Sequence, residues 1–398
     1  MTGAPMIKAV FPKIKIPAYP DALKRESVQS VLTFHKSIPG YRATPLYCLP
    51  ELAAYLGIKN IYVKDESQRF GLNAFKALGT TWAVAKIVCE KLCWTSSDID
   101  FLDLKEAASQ IKDLIFVTAT DGNHGRGLAW AAARLGFKAV VFMPAGSATI
   151  RVKAIEGEGA TVQVTDQNYD DTVRMAAGAA KENGWHLVQD TAFEGYEKIP
   201  AWVVQGYTTM AGEVLEQLMD RDLELPTHLF LQAGVGSMAA SVLGYFANVL
   251  GDCCPRTIIM EPNQADCFYQ SALADDGVPR MVRGQLKTMM AGLACGEPSP
   301  FAWPILRDFA AGFVSCPDEV AAIGMRLLAK PLGDDPSIVS GESGAVGIGL
   351  ICQLLSDGKL AGMRQQMNLD RTSVLLCFST EGDTDPDNYR AIVNGPSK

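Results

Sequence analysis

The chain reads as α/β, with two doubly wound domains built on mostly parallel sheets. Three observations carry that reading. From about residue 57 onward, short β-branched runs alternate with longer helical patterns, and such alternation predicts parallel sheets covered on both faces. The chain has 398 residues, enough for two domains. Its hydrophobic content of 48% and charged content of 20% suit a globular protein with a large core.

Strands are expected at Ile61–Lys64, Leu114–Thr118, Ala139–Met143, Thr161–Val164, His186–Gln189, His228–Gln232, Thr257–Glu261, Gly312–Cys316 and Ser373–Ser379. Helical patterns separate most of them, as over Tyr169–Asn183 and Ile199–Met219. Residues 94–110 carry four acids, three serines and little apolar rhythm, and read as an insertion. Pro279–Lys287 reads as a loop. Right-handed crossovers place functional loops at the carboxyl ends of the strands.

The net charge of −8, with no basic block, argues against nucleic acid or an anionic membrane surface as partner. No apolar run approaches membrane-span length. The opening residues Met1–Met6 lack a charged region followed by an apolar stretch, so a cytoplasmic protein is expected. Ten cysteines without a CxxC framework suit buried thiols in a reducing compartment. Cys89 and Cys93, one turn apart, suit core packing better than a metal; Cys267 and Cys295 flank a loop and are a possible pair. The four histidines, His35, His124, His186 and His228, are not spaced as zinc ligands, and no GxSxG elbow occurs, so no metal site is expected.

Four segments carry chemistry. Lys76 lies in Arg69–Gly79, after a strand and just inside a helix, among apolar neighbours. Burial disfavours a charged amine, and a neutral lysine can form a Schiff base with a carbonyl or with pyridoxal phosphate; a surface lysine on an amphipathic helix is the plain alternative. Thr118–Gly127 follows a strand and opens a helix. Its glycines admit a close ligand, and Asn123 offers a donor and an acceptor in the same turn. A simple glycine-rich cap reads the segment equally well.

The third segment, Gln232–Ala239, contains Gly234, Val235, Gly236, Ser237 and Met238 between a strand and a helix. Its backbone amides suit a phosphate. It also satisfies the G-x-G-x-x-A form of the dinucleotide fingerprint, with Glu261 ending the next strand as a candidate ribose acid. A nicotinamide-dependent oxidoreductase therefore competes, although it leaves Lys76 and the Asn123 loop unexplained. In the fourth segment, Cys377–Asp383, a hydroxyl from Ser379 or Thr380 is placed to meet a ring nitrogen; a capped turn is the alternative.

The order and spacing of these segments resemble the tryptophan-synthase-β-like (fold type II) pyridoxal-phosphate enzymes, from about Arg42 to Ser379. The resemblance implies a cofactor in a cleft between two domains. It implies a large cofactor-binding domain, residues 1–78 and 205–398, and a small domain, residues 79–204, that closes over the substrate. Lys76 would form the imine, Asn123 would bond the ring hydroxyl, Gly234–Met238 would hold the phosphate, and Ser379 or Thr380 would face the pyridine nitrogen.

Dehydratases and cysteine synthases of that family usually place a small neutral residue before Gly-Asn, where the loop binds the substrate carboxylate. Here Asp121 stands there. An anion repels a carboxylate and attracts an ammonium. Asp190, ending the His186–Gln189 strand, is a second acid, readable equally as a helix cap. Two acids suggest a substrate with an extra amine. Together with Lys64–Ser67, Gly292–Glu297, Ser340–Ala345 and Ser379–Asp385, these segments are similar to the diaminopropionate ammonia-lyase branch of the family. That similarity implies elimination from D- and L-2,3-diaminopropionate to pyruvate and two ammonia, in a homodimer. Lys76 would serve as base on one face of the substrate and Asp121 on the other, while an acid assists the leaving amine. A serine or threonine dehydratase is the alternative within the fold; a non-catalytic regulatory protein is a third reading.

Overall fold

The computed structural model describes residues 6–13, 19–96 and 98–395. Its strands are β1 (Lys8–Val10), β2 (Leu46–Cys48), β3 (Asn60–Asp65), β4 (Ile115–Ala119), β5 (Lys138–Met143), β6 (Thr161–Val164), β7 (His186–Leu187), β8 (His228–Gln232), β9 (Arg256–Pro262), β10 (Gly312–Cys316) and β11 (Val374–Ser379). They form two sheets, one in each of two compact units. The first unit comprises Met1–Pro20, Thr44–Gln68 and Met210–Lys398; the second comprises Asp21–Ala43 and Arg69–Thr209.

The first unit holds a seven-stranded sheet in the order β1-β10-β9-β8-β11-β3-β2. The five inner strands are parallel, and β1 and β2 add antiparallel edges. Every residue of β8, β10 and β11 is buried, as expected of strands covered on both faces. From β8 the chain steps to β9 and β10, then returns to lay β11 on the other side of β8. The carboxyl ends of β8 and β11 are thus neighbours where the strand order reverses, the usual place for a ligand in such sheets. The edge strands β1 and β2 escaped sequence analysis because each is three residues long, too short to show a period.

The second unit holds a four-stranded parallel sheet in the order β6-β5-β4-β7. One expectation needs correction here. Residues 94–110 are not simply an insertion: Phe101–Ala108 is a helix, capped by the Asp100 carboxylate, which accepts from Leu102 N and Asp103 N. It buries Phe101, Leu104 and Ala108, one turn apart, a stripe too short to stand out among the acids. The units also divide the chain differently from the expected boundaries at 78 and 205. Residues 21–43 and 69–78 group with the second unit, as do 205–209. The reason is packing of the Arg25–Ser37 helix. Its Phe34 ring lies 5.4 Å from Trp82 and 6.1 Å from Phe101. Its His35 donates from Nε2 to the Leu78 carbonyl (3.0 Å) and pairs through Nδ1 with Thr209 Oγ1 (2.7 Å). Lys76 therefore belongs to the second unit.

Candidate active site

In the second unit, Lys76 immediately precedes the Ala77–Lys91 helix, and two close helix crossings fix its surroundings. A Cβ on Gly127 would lie 2.9 Å from the Ala77 nitrogen, so only glycine lets the Asn123–Arg134 helix rest on the backbone beside Lys76. A Cβ on Gly79 would lie 2.8 Å from Val203 Cγ1, and one on Gly206 2.6 Å from the Gly79 Cα. That second crossing sets Tyr207 against Phe75, edge to face at 4.7 Å. The Lys76 ammonium lies 5.3 Å from the Phe75 ring centre and 5.9 Å from that of Tyr207.

Asp190 reaches Lys76 because β7 stops early. Past Leu187 the Val188 nitrogen still donates to Val117 O (2.9 Å), and from there the ladder is continued by the Gln189 side chain. The Gln189 amide accepts from Thr118 Oγ1 (2.7 Å) and Ala119 N (3.1 Å) and donates to Ala119 O (3.1 Å), doing for Ala119 what a strand backbone would. The Gln189 nitrogen donates instead to Tyr196 Oη (2.9 Å), which donates to Leu187 O (2.9 Å). The main chain is released to turn, and Asp190 Oδ2 accepts from Lys76 Nζ. Asp190 is thus not a helix cap. This shortens the strand expected over His186–Gln189 to two residues.

The ion pair reverses one sequence expectation. Burial does work to lower the Lys76 pKa, but the Asp190 carboxylate outweighs it and holds the amine above its ordinary range. Burial likewise works to raise the Asp190 pKa, yet Lys76, followed by His124, brings it down to about 2. In this state both groups are charged. Asp121 is more open, its side chain 31% exposed, with Arg151 Nη1 at 3.9 Å from Oδ2. The turn carrying it is shaped by Thr120, whose Oγ1 accepts from Gly122 N (2.9 Å) and Gly125 N (3.1 Å), so that Asn123 opens the helix. His124, Arg151 and Tyr207 around Lys76 and Asp121 were not singled out in the sequence; only adjacency to Asn123 pointed to His124.

In the first unit, the Gly234–Ser237 turn leads from β8 into the Ser237–Leu250 helix. Gly236 has φ +90°, a conformation that favours glycine. A Cβ there would press on the Phe268 ring and come 3.0 Å from Ala302 Cβ, so Gly236→Val would harm packing as well as ligand approach. The neighbouring loop after β11 is tied to β8 by Gln232, whose Nε2 donates to Phe378 O and to Thr380 Oγ1, both at 2.9 Å. Ser379 is fully buried and donates to Ser340 Oγ (2.8 Å). Glu261 does not stand as a ribose acid. Its carboxylate is fully buried and accepts from Phe268 N (2.8 Å) and Tyr269 N (2.7 Å), capping the helix that begins at Cys267. Cys267 and Cys295 are free thiols. Among the described residues, no group of three or more His, Cys, Asp or Glu is arranged to hold a metal ion.

Residues 38–368 match the family model for pyridoxal-phosphate dependent enzymes. The chain is also 52% identical over 371 residues to the diaminopropionate ammonia-lyase of Salmonella typhimurium, covering 92% of each. The chain belongs to the pyridoxal-phosphate-dependent family that includes the diaminopropionate ammonia-lyases. A selenomethionine-containing holo crystal structure of the Escherichia coli diaminopropionate ammonia-lyase superposes with a TM-score of 0.92 at 47% identity, covering 98% of this chain and 96% of that one. The same enzyme in complex with D-serine gives a TM-score of 0.92 and 47% identity, over 98% and 97%.

Membership removes the oxidoreductase alternative and makes pyridoxal phosphate the cofactor. The residues present fit it. A buried lysine amine is available for the carbonyl. The start of the Ser237–Leu250 helix leaves its first N–H groups without partners inside the helix, behind a glycine turn that keeps the backbone bare. In the second unit the buried Tyr207 hydroxyl has no hydrogen-bond partner.

Proposed function

We propose that this enzyme converts D- and L-2,3-diaminopropionate, with one water, to pyruvate and two ammonia. The observation that carries the reading is the pair of carboxylates in the second unit: Asp190 against Lys76, and Asp121 in the turn beside Asn123. Such an arrangement suits a substrate with a second ammonium, and the 52% identity to an ammonia-lyase over 92% of the chain supports it. When bound, the cofactor is an electron sink that makes the Cα proton removable.

Lys76 holds the cofactor covalently and serves as base on one face of the substrate. Asp121 serves the other face. Asp190 orients the second ammonium and assists its departure, since an unprotonated amine leaves poorly. Asn123 would bond the ring hydroxyl, the N–H groups of Gly234, Val235, Gly236, Ser237 and Met238 would hold the phosphate, and a hydroxyl of Ser379 or Thr380 would serve the ring nitrogen. We place the enzyme in the cytoplasm as a homodimer. Ten free thiols suit a reducing compartment, and no helix among the described residues is long and apolar enough to cross a membrane.

Ammonia release from D- and L-diaminopropionate, L-serine, L-threonine and D-serine tests the assignment. Diaminopropionate should give the highest kcat/KM in both forms. Preference for L-serine or L-threonine would replace it with the dehydratase reading. Light scattering coupled to gel filtration should give twice the 42.9 kDa chain mass.

A further inference from the structure

His124 is a buried titratable group that the proposed chemistry does not use. Its side chain is 3% exposed. Nε2 lies 2.8 Å from the Val188 carbonyl, which only accepts, so Nε2 carries the hydrogen. In the neutral ring, Nδ1 is then a bare lone pair. It has no hydrogen-bond partner, and it lies 3.7 Å from Asp190 Oδ2, the same oxygen that accepts from Lys76. A lone pair facing a carboxylate across that distance is unfavourable unless a proton sits on one of them. While Lys76 is an ammonium, Asp190 is neutralised from the other side and the arrangement is tolerated. Once Lys76 is covalently engaged, its ammonium no longer faces Asp190.

We propose that His124 is the alternate counter-ion of Asp190, taking up a proton at Nδ1 when Lys76 gives up its own. The balance is simple. When the Lys76 ammonium condenses with a carbonyl to an uncharged imine, the C=N bond forms, the carbonyl oxygen leaves as water and one proton is released; Asp190 Oδ2 touches the donor and faces the acceptor, and His124 Nδ1 gains that proton. One positive charge opposite Asp190 moves from one nitrogen to another, and Asp190 stays an anion. His124 is a positioning residue acting through Asp190, and the proton it stores lies behind the carboxylate assigned to the leaving amine.

The other groups around the pair agree with this direction. Burial lowers the His124 pKa; Asp190 works to raise it, and Lys76 works to lower it further. Tyr207 and Asp121 act on Lys76, and Arg151 stands beyond Asp121. Burial pushes the Tyr207 hydroxyl up, so it remains protonated and does not compete as a counter-ion. Removing the Lys76 charge therefore takes away an opponent of His124 protonation and leaves its supporter in place.

The proposal rests on Lys76 being the residue that engages the cofactor, but not on which amino acid is consumed. The four histidines make an imidazole NMR titration practicable. In the cofactor-free full-length protein, Lys76→Met should move the His124 titration upward by about one unit or more, the usual effect of a removed like charge. Asp190→Asn should move it downward. Wild-type protein loaded with pyridoxal phosphate should show His124 protonated at a pH where the cofactor-free form shows it neutral. A His124 titration that is unchanged both by Lys76→Met and by cofactor loading would overturn the proposal. If Lys76→Met does not fold, the loaded-against-free comparison decides alone. None of these readouts uses substrate, so a different preferred amino acid would refute the functional assignment and leave the His124 result standing.

Discussion

Two lysines, one in each unit, face carboxylates; Lys64 is fully buried and Lys76 partly so. Lys64 in β3 has no exposed side-chain surface, nor has its partner Glu213, 2.6 Å away. It also donates to Thr44 O (2.7 Å) and Gln217 Oε1 (2.8 Å), so all three of its N–H bonds have acceptors. Lys76 has one carboxylate acceptor, two aromatic rings for neighbours and 19% of its side chain exposed. Burial alone therefore does not mark a reactive lysine. What separates the two is saturation: an ammonium with every proton placed is a structural tie, and one held by a single carboxylate can be deprotonated and used.

Breaking the comparison at its reactive end gives the largest effect. Lys76→Ala should lose the visible absorbance of lysine-bound cofactor. It should also cut kcat/KM by at least on the order of ten-thousandfold, about 5 kcal/mol of activation free energy, and lower urea stability by about the 2–3 kcal/mol that the Asp190 pair contributes. Retention of that absorbance would move the covalent role to another lysine. At the structural end the pattern should invert. Lys64→Met strands Glu213 in the core and should cost about 3–5 kcal/mol of unfolding free energy, read from the urea midpoint, while any folded protein still binds cofactor. A Lys64→Met protein as stable as wild type would show that saturation is not what separates the pair.

The carboxylates sharpen the contrast further. Asp121→Asn keeps the shape and removes a base, so it should lower kcat/KM for the D isomer several hundredfold, about 3–4 kcal/mol, and the L isomer far less. Equal losses would end the division of faces. The smallest effect is a pH dependence. Asp190 sits at about 2 in the folded protein, below the ordinary aspartate value of about 3.9, so the unfolded chain binds its proton more tightly. Its contribution to stability is present above about pH 4 and is lost as pH falls through about 2, amounting to about 2–3 kcal/mol. Urea unfolding of cofactor-free wild type and Asp190→Asn should converge across that window; parallel curves would mean that the pair contributes nothing.

Much of this was legible beforehand. The strands β3 to β5 and β8 to β11 lie where β-branched runs placed them, because strands buried on both faces are mostly apolar; the exposed edge strand β6 was legible from its Thr-Val-Gln-Val alternation instead. The Tyr169–Asn183 helix has the expected ends, its Asn168 cap and Gly184 stop being local signals. The Phe101–Ala108 helix was lost because three buried positions do not make a visible period. Strand β7 was read too long because its Val-Gln continuation looks extended, while the Gln189 side chain, not its backbone, pairs with Ala119.

By itself the sequence determined what depends on neighbours along the chain: the alternation that makes an α/β fold, the glycine turn opening the Ser237–Leu250 helix, and a lysine among apolar residues at a helix start. Only the tertiary structure decided the charge on that lysine. Lys76 and Asp190 are 114 residues apart, and they meet because Gly127, Gly79 and Gly206 let helices touch at the backbone and because β7 ends after two residues. A pKa is set by the charges within a few ångströms and by the water that is missing, and both are properties of the packed chain.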